Sequence, residues 1–301
     1  MRRVAIQGVR VPVLGLGTLG LSGEVARRIV SCALDMGYRH IDTAQIYRNE
    51  SEIGDAINGA SVRREDIWLT TKAWPDSFRD GDLQRSVERS VRKLKTEPDL
   101  LLLHWPNSRI ALRETIAALN DVKREGLTKH IGISNFTVAL MRQALSLTEE
   151  PLLLNQIEYH PYIGQQTVLR ALRASDMALT AYSPLAKGRV FRDCKLRSIG
   201  ERFGKSSGQV TLRWLIQQDG VIAIPRSSCD SNLRNNLEIF DFELATRDMA
   251  EISALAGAGI RLVDPIRFAP TWDDLDAIGH ARRNTTRVVR AVIPRVRRLF
   301  Q

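Results

Sequence analysis

Four side chains set well apart in the chain, Asp42, Tyr47, Lys72 and His104, could do proton chemistry if brought together. A free tyrosine, with a pKa of about 10, is a poor proton donor at neutral pH, but a lysine cation beside it stabilises the phenolate and lowers that value. Tyr47 beside Lys72 would then serve as a general acid. Lys72 needs a counter-ion to stay charged in a partly dry pocket, which Asp42 supplies, and His104 would donate a hydrogen bond to a substrate oxygen. An acid plus a polarising donor, without a metal-ligand motif or a Ser–His–Asp arrangement, suits reduction of a carbonyl by a hydride donor. Taken singly, each has an ordinary structural reading: Asp42 as a helix cap, Lys72 and His104 as solvated loop residues, Tyr47 as a packed aromatic.

The elements that must position these groups follow from hydrophobic periodicity. Short apolar runs at 39–42, 67–70, 100–103, 130–133, 152–157, 177–181 and 221–224 have the composition of buried strands, and a piece at 13–16 makes eight. Segments between them carry helical spacing: Val25, Ile29, Ala33, Met36; Leu83, Val87, Val91, Leu94; Leu112, Ile116, Leu119, Val122. Ser22 is placed to N-cap the first helix, and Gly37 and Gly126 stand where helix C-caps belong. Eight strand–helix units predict an α/β fold, a single-domain (β/α)8 TIM barrel over residues 1–275. Runs at 4–6 and 9–11 flank Gln7-Gly8 and predict an N-terminal β-hairpin capping one end.

Composition narrows the class further. With 44% hydrophobic and 26% charged residues in 301, the chain reads as an ordinary globular protein. Cys32, Cys194 and Cys229 form no CxxC pair, which disfavours a disulfide framework or a zinc cluster and fits a reducing cytoplasm. Gln7, Gly8, Arg10 and Pro12 break up any secretory apolar region, and no run is long enough to span a membrane. The net charge of +10 is concentrated at the end: residues 277–301 hold seven arginines and no acid, leaving +3 for the rest. Residues 276–301 are therefore expected to be a mobile, solvated, basic tail, and no nucleic-acid partner is expected. No metal is expected, since His130, His160 and His280 lack ligand-spaced partners. No oligomer is implied.

In a parallel barrel all strand carboxyl ends face one mouth, so polar residues there are site candidates. Asp42 and Tyr47, Lys72, His104, Ser134-Asn135, Asn155, Gln156 and Glu158, Tyr182-Ser183 and Arg226-Ser227 follow or end successive runs. Together, Gly37-Tyr-Arg-His-Ile-Asp-Thr-Ala-Gln-Ile-Tyr47, Lys72 after Ile-Trp-Leu-Thr-Thr, His104-Trp105-Pro106, Gly132-Ile-Ser-Asn135 and Ile224-Pro-Arg-Ser227 resemble the aldo-keto reductases. The likeness is to the bacterial 2,5-diketo-D-gluconate reductase B type, which also reduces methylglyoxal. Stretches 126–137, 261–264 and 269–273 carry that finer resemblance.

The resemblance implies a (β/α)8 barrel that binds NADPH and reduces a small dicarbonyl or keto-sugar acid, with Asp42, Tyr47, Lys72 and His104 as the catalytic four. It also implies that Ser134, Asn135 and Gln156 hold the nicotinamide carboxamide, that Tyr182 stacks on the ring and that Thr18 touches the ribose. Ser183, Leu185, Arg226, Ser227 and Asn236 would line the pyrophosphate and adenosine path, and Trp74 and Trp105 would wall the substrate pocket. Where the family commonly has lysine and arginine near the adenosine 2′-phosphate, this chain has Arg226 and Asn232. Arg226 keeps a phosphate-gripping cation, whereas Asn232 does not.

Two other readings compete. Gly15-Leu-Gly17-Thr-Leu-Gly20 satisfies the GxGxxG dinucleotide fingerprint, with Asp42 at the end of the next strand, but repeating units continue without a break into a second domain. A barrel could also keep its cofactor as a regulatory module with little turnover.

Overall fold

The computed structural model describes residues 2–273, so the basic extension over 276–301 lies outside the described residues. A hairpin of β1 (Arg3–Ile6) and β2 (Val9–Pro12) precedes eight barrel strands. These are β3 (Leu16–Gly17), β4 (His40–Asp42), β5 (Trp68–Ala73), β6 (Leu100–Leu103), β7 (His130–Ser134), β8 (Leu152–Glu158), β9 (Ala178–Tyr182) and β10 (Val221–Ala223). Each pairs in parallel with the next in sequence. First and last also meet: Gly15 N donates to the Ala223 carbonyl at 2.9 Å, Ala223 N to Val13 O at 2.9 Å and Gly17 N to Pro225 O at 3.0 Å. The strands thus close into the single-domain (β/α)8 barrel expected from the repeat.

Two of the three glycines of the GxGxxG string, Gly15 and Gly17, serve this seam. A Cβ on Gly15 would lie 2.7 Å from the His40 ring, and one on Gly17 would lie 2.8 Å from the Ile224 carbonyl oxygen. Close approach of backbone to its neighbours selects glycine at both positions.

The outer layer is α1 (Gly23–Asp35), α2 (Glu50–Asn58), α3 (Asp82–Leu94), α4 (Leu112–Arg124), α5 (Val138–Leu147), α6 (Gln166–Ala174), α7 (Cys194–Glu201), α8 (Ser207–Gln217), α9 (Asp230–Leu237) and α10 (Thr246–Ser253). α1 buries Ala26, Ile29, Val30, Ala33 and Leu34, following the apolar spacing of its sequence. Gly37 and Gly126, just past the C-caps of α1 and α4, take φ of +103° and +74°. Ser22 occupies the N-cap of α1 in extended conformation, though its side chain makes no capping hydrogen bond. Among the described residues no helix is long and apolar enough to cross a membrane.

The bottom of the barrel is plugged by the hairpin, whose turn residues Gln7 and Gly8 both have positive φ, the geometry of a tight two-residue turn. Ile6 and Val11 pack with Trp68, Leu100, Leu102, Leu153, Leu154, Ala178 and Ile222 into one apolar cluster. Gln7 Nε2 secures the plug by donating to the carbonyls of Leu152 (3.2 Å) and Asp176 (2.8 Å) at the start of β8 and just before β9.

Two boundaries differ from the sequence expectation. β5 continues to Ala73, so Lys72 lies inside the strand and not after it. Thr70, Thr71 and Lys72 look polar in sequence but are all buried: Thr70 and Lys72 share one face of β5, where Lys72 meets Asp42, while Thr71 on the other face donates its hydroxyl to Glu50 at 2.7 Å. β3 is confined to Leu16–Gly17, with Val13 and Leu14 spent on the closing seam.

Candidate active site

The mouth gathers the four proton-handling candidates from three consecutive strand ends. Asp42 is the last residue of β4, Lys72 is the penultimate residue of β5, and His104 follows β6. Tyr47 ends a short 3₁₀ turn (Gln45–Tyr47) beyond β4. That turn is clamped on both sides. Gln45 accepts from Trp74 N at 3.0 Å and donates to the Ser86 carbonyl at 3.1 Å, while Asn49 Nδ2 donates to the carbonyls of Thr18 (3.0 Å) and Leu21 (2.9 Å). Arg48, in the left-handed region at φ +57°, turns the chain between these anchors and is itself exposed.

Lys72 is fully buried and Asp42 is 2% exposed, and the two form an ion pair. Lys72 Nζ also donates to Thr43 O at 2.8 Å, and the second Asp42 oxygen accepts from Gln156 Nε2 at 2.7 Å. Thr18 donates its hydroxyl (2.9 Å) and its N–H (3.0 Å) to the Asp42 carbonyl. A buried pair persists only when its remaining hydrogen-bonding capacity is largely met, and here both Asp42 oxygens and two of the three Lys72 N–H groups are engaged. The Lys72 ammonium lies 5.2 Å from the centre of the Tyr47 ring, and the His104 ring meets that ring edge-on at 5.8 Å.

Electrostatics correct one expectation. The Tyr47 phenol is pushed up from its ordinary value, first by burial and then by the Asp42 carboxylate, and not down by Lys72. The ammonium's charge is largely matched by Asp42, so dehydration of the phenolate wins. Burial lowers Lys72 against the opposing pull of Asp42. It also holds His104 well below the usual histidine range, assisted by the Lys72 charge, so the imidazole is neutral. The site at neutral pH therefore contains a loaded phenol and a neutral imidazole. His104 Nδ1 is buried without a protein partner.

Beside this cluster runs a chain of amides and hydroxyls. Ser134 and Gln156 are register partners on β7 and β8, and Ser134 Oγ donates to Gln156 O at 2.8 Å. Asn135, at φ +64°, donates to the carbonyl of His104 at 2.9 Å and accepts from the Tyr182 hydroxyl at 2.8 Å. Ser183 follows at φ +49°, and Leu185 is half-buried against the core. Further round, beyond β10, Arg226 is exposed, with Nη1 3.3 Å from Ser228 Oγ, while Ser227 is buried and its hydroxyl donates to Cys229 O at 2.8 Å. Asn236 is buried on α9, and Asn232 is exposed on the same helix.

The two tryptophans occupy different settings. Trp74 is half-buried and meets His104 edge-on at 5.4 Å. Trp105 is buried against Trp272 and Phe268. Both belong to one aromatic group at the mouth, because Phe268 also lies 5.4 Å from Trp74. Sequence reasoning missed Phe268 and Trp272 as wall residues: they sit in a segment without periodicity, and only their aromatic character after the last helix marked them. Among the described residues no group of three or more His, Cys, Asp or Glu side chains is placed to hold a metal.

Comparison with known proteins places the chain in a family. The sequence pattern of the Aldo/keto reductase family matches residues 13–256. Methylglyoxal reductase DkgB of Escherichia coli O157:H7 is 38% identical over 267 residues, covering 87% of this chain and 99% of that protein. Glyoxal reductase of Bacillus subtilis (strain 168) is 36% identical over 250 residues, covering 82% and 90%. The crystal structure of a proposed 2,5-diketo-D-gluconic acid reductase B superposes with a TM-score of 0.89 at 46% identity, covering 91% of this chain and 98% of that one. The chain is an oxidoreductase and belongs to the aldo/keto reductase family.

Proposed function

We propose that the protein reduces a small aldehyde or ketone to the alcohol with NADPH, a dicarbonyl such as methylglyoxal or a keto-sugar acid such as 2,5-diketo-D-gluconate being the substrate class. The single observation that carries the reading is the buried Asp42–Lys72 pair set under a protonated phenol and beside a neutral imidazole at one mouth. The relatives' names supply the substrate class.

The donors present fit a nicotinamide dinucleotide. Ser134, Asn135 and Gln156 form a hydroxyl–amide set suited to a primary carboxamide, with Tyr182 beside them to stack on a flat ring. Thr18, whose hydroxyl donates to the Asp42 carbonyl, would touch the ribose. Ser183, Leu185, Ser227 and Asn236 would line the path onward, and Arg226 is an exposed guanidinium suited to a phosphate, which favours NADPH. When bound, the reduced nicotinamide supplies a hydride.

The chain's own groups handle the oxygen. His104, neutral, donates a hydrogen bond to the carbonyl oxygen and polarises it. As negative charge develops there, the oxygen becomes more basic than a phenolate and Tyr47 transfers its proton. The attraction of the Lys72 ammonium beside the ring offsets part of the cost of the phenolate so formed, burial and the Asp42 charge still outweighing it, and Asp42 fixes the ammonium in place. A raised Tyr47 thus keeps the acid protonated until the substrate calls for the proton.

In this reading residues 1–275 are the catalytic unit, and 276–301 are not needed for turnover. All three cysteines, Cys32, Cys194 and Cys229, are free thiols, which supports a cytoplasmic setting. The test is NADPH oxidation at 340 nm with methylglyoxal. Tyr47→Phe is expected to lower kcat/KM about 10²- to 10⁴-fold while cofactor binding, followed by fluorescence titration, stays near wild type. Equal slow rates in both proteins would replace this reading by a cofactor-binding barrel without useful turnover.

A further inference from the structure

Residues 259–273 form no helix or strand, yet they bring Phe268 and Trp272 to the mouth. A segment without its own hydrogen-bond ladder must be held by other parts of the molecule. Its backbone is tied at three successive places to the end of β8 and the chain just after it. Ile260 N donates to Tyr162 O at 2.8 Å, Leu262 N to Glu158 Oε1 at 2.7 Å and Val263 N to Glu158 Oε2 at 2.9 Å. Lys187 Nζ adds a bond to the Leu262 carbonyl at 3.2 Å from beyond β9.

Glu158 stands out because its side chain is wholly buried and its carboxylate also accepts from His160 Nε2 at 3.0 Å, itself wholly buried. A buried carboxylate is costly unless its oxygens are satisfied, and here two of three donors come from the covering segment. Neither Glu158 nor His160 touches the proton-handling cluster, so the mechanism above leaves them without a role. Their partners, however, are the backbone immediately before the aromatic wall: Phe268 packs on Trp74, and Trp74 on the ring of His104.

We infer that Glu158 is a positioning residue for substrate selection: by clasping the amides of Leu262 and Val263 it holds the 259–273 segment over the mouth, and so decides how Phe268 and Trp272 face the carbonyl's substituent. The inference rests on the reductase reading for its catalytic consequence but not for its structural one. In this reading large substituents reach the wall, whereas the small acetyl group on the methylglyoxal aldehyde does not need it. Loss of the clasp therefore changes the preference between substrates more than the chemistry.

The test uses the full-length protein with Glu158→Gln, which puts an amide donor where an acceptor is needed, and the surface variant Lys187→Met, which loosens the same segment without disturbing the interior. Amide hydrogen exchange of the free proteins, read by mass spectrometry, is expected to rise at least tenfold in peptides spanning 259–273 in Glu158→Gln and about threefold in Lys187→Met, with β4 to β6 unchanged. In steady state, the ratio of kcat/KM for a bulky aromatic aldehyde to that for methylglyoxal is expected to shift at least fivefold in Glu158→Gln through KM, with kcat for methylglyoxal within twofold of wild type. Unchanged exchange in both variants would overturn the clasp. Raised exchange with an unchanged ratio, or an equal loss on both substrates, would overturn its role in selection. A wild type that reduces no carbonyl would instead overturn the reductase reading, while the exchange data would still decide whether Glu158 holds the segment.

Discussion

At the bottom of the barrel β6 buries Leu100 and Leu102 against Ile6 and Val11 of the hairpin, whereas at the top its neighbour β5 buries Lys72 against Asp42. Both ends exclude water, but by different means. The lower plug is apolar area, which stabilises roughly in proportion to what is hidden and asks nothing of individual atoms. The upper end hides a cation and an anion under a half-buried phenol, and the two charges are tolerable only because specific partners meet them. Stability is thus concentrated at one end of each strand and chemistry at the other, and the two should separate under mutation.

The largest expected effect comes from breaking the upper pair. Lys72→Met leaves the Asp42 carboxylate buried without its cation and is expected to cost about 3–5 kcal/mol in urea unfolding while abolishing measurable turnover. The double variant Lys72→Met/Asp42→Leu should recover most of that stability and none of the activity, since apolar replacement of a whole buried pair is close to neutral. Recovery of activity in the double variant would contradict the division of labour. At the lower end, Leu102→Ala is expected to lose about 3 kcal/mol by the same measurement, with kcat and KM of the folded fraction within twofold of wild type. A large kinetic defect there would show that the two ends communicate.

The third prediction concerns His40, which sits between them with Nδ1 3.3 Å from Pro12 O and is pushed down to about 4 by burial. Because the unfolded chain, titrating near 6.5, binds this proton more readily than the folded one, stability is full above pH 6.5 and falls as pH drops towards 4. The expected loss is roughly 3 kcal/mol. Urea midpoints across that window, compared with a flatter profile for His40→Gln, measure it.

Much of the lower end was legible in sequence because it rests on periodicity and turn chemistry. Gln7-Gly8 announced a two-residue hairpin, and Leu100–Leu103 announced a buried strand. The upper end was legible through residue type, since Asp42, Tyr47, Lys72 and His104 make chemical sense only as a group. What periodicity misplaced was Lys72, set after a strand that in fact contains it, because polar residues facing inward at a barrel mouth look like loop. The sign of the Tyr47 shift was also beyond reach, since it depends on how fully the Lys72 charge is matched by Asp42 and how deeply the phenol is buried. The covering segment was least legible. Residues 259–273 have no repeat to read, and their anchor, Glu158, is a hundred residues away in the chain.

The seam between β3 and β10 has a consequence for how the chain is made. Gly15 and Gly17 bond to Ala223 and Pro225, so the first barrel strand must wait for the last before it has a neighbour on both sides. At roughly 5–20 residues per second, some ten to forty seconds of synthesis separate the two. Any sheet formed in that interval would be an open ribbon with a bare leading edge, a stage at which a chaperone that shields unpaired strands would matter more than after closure.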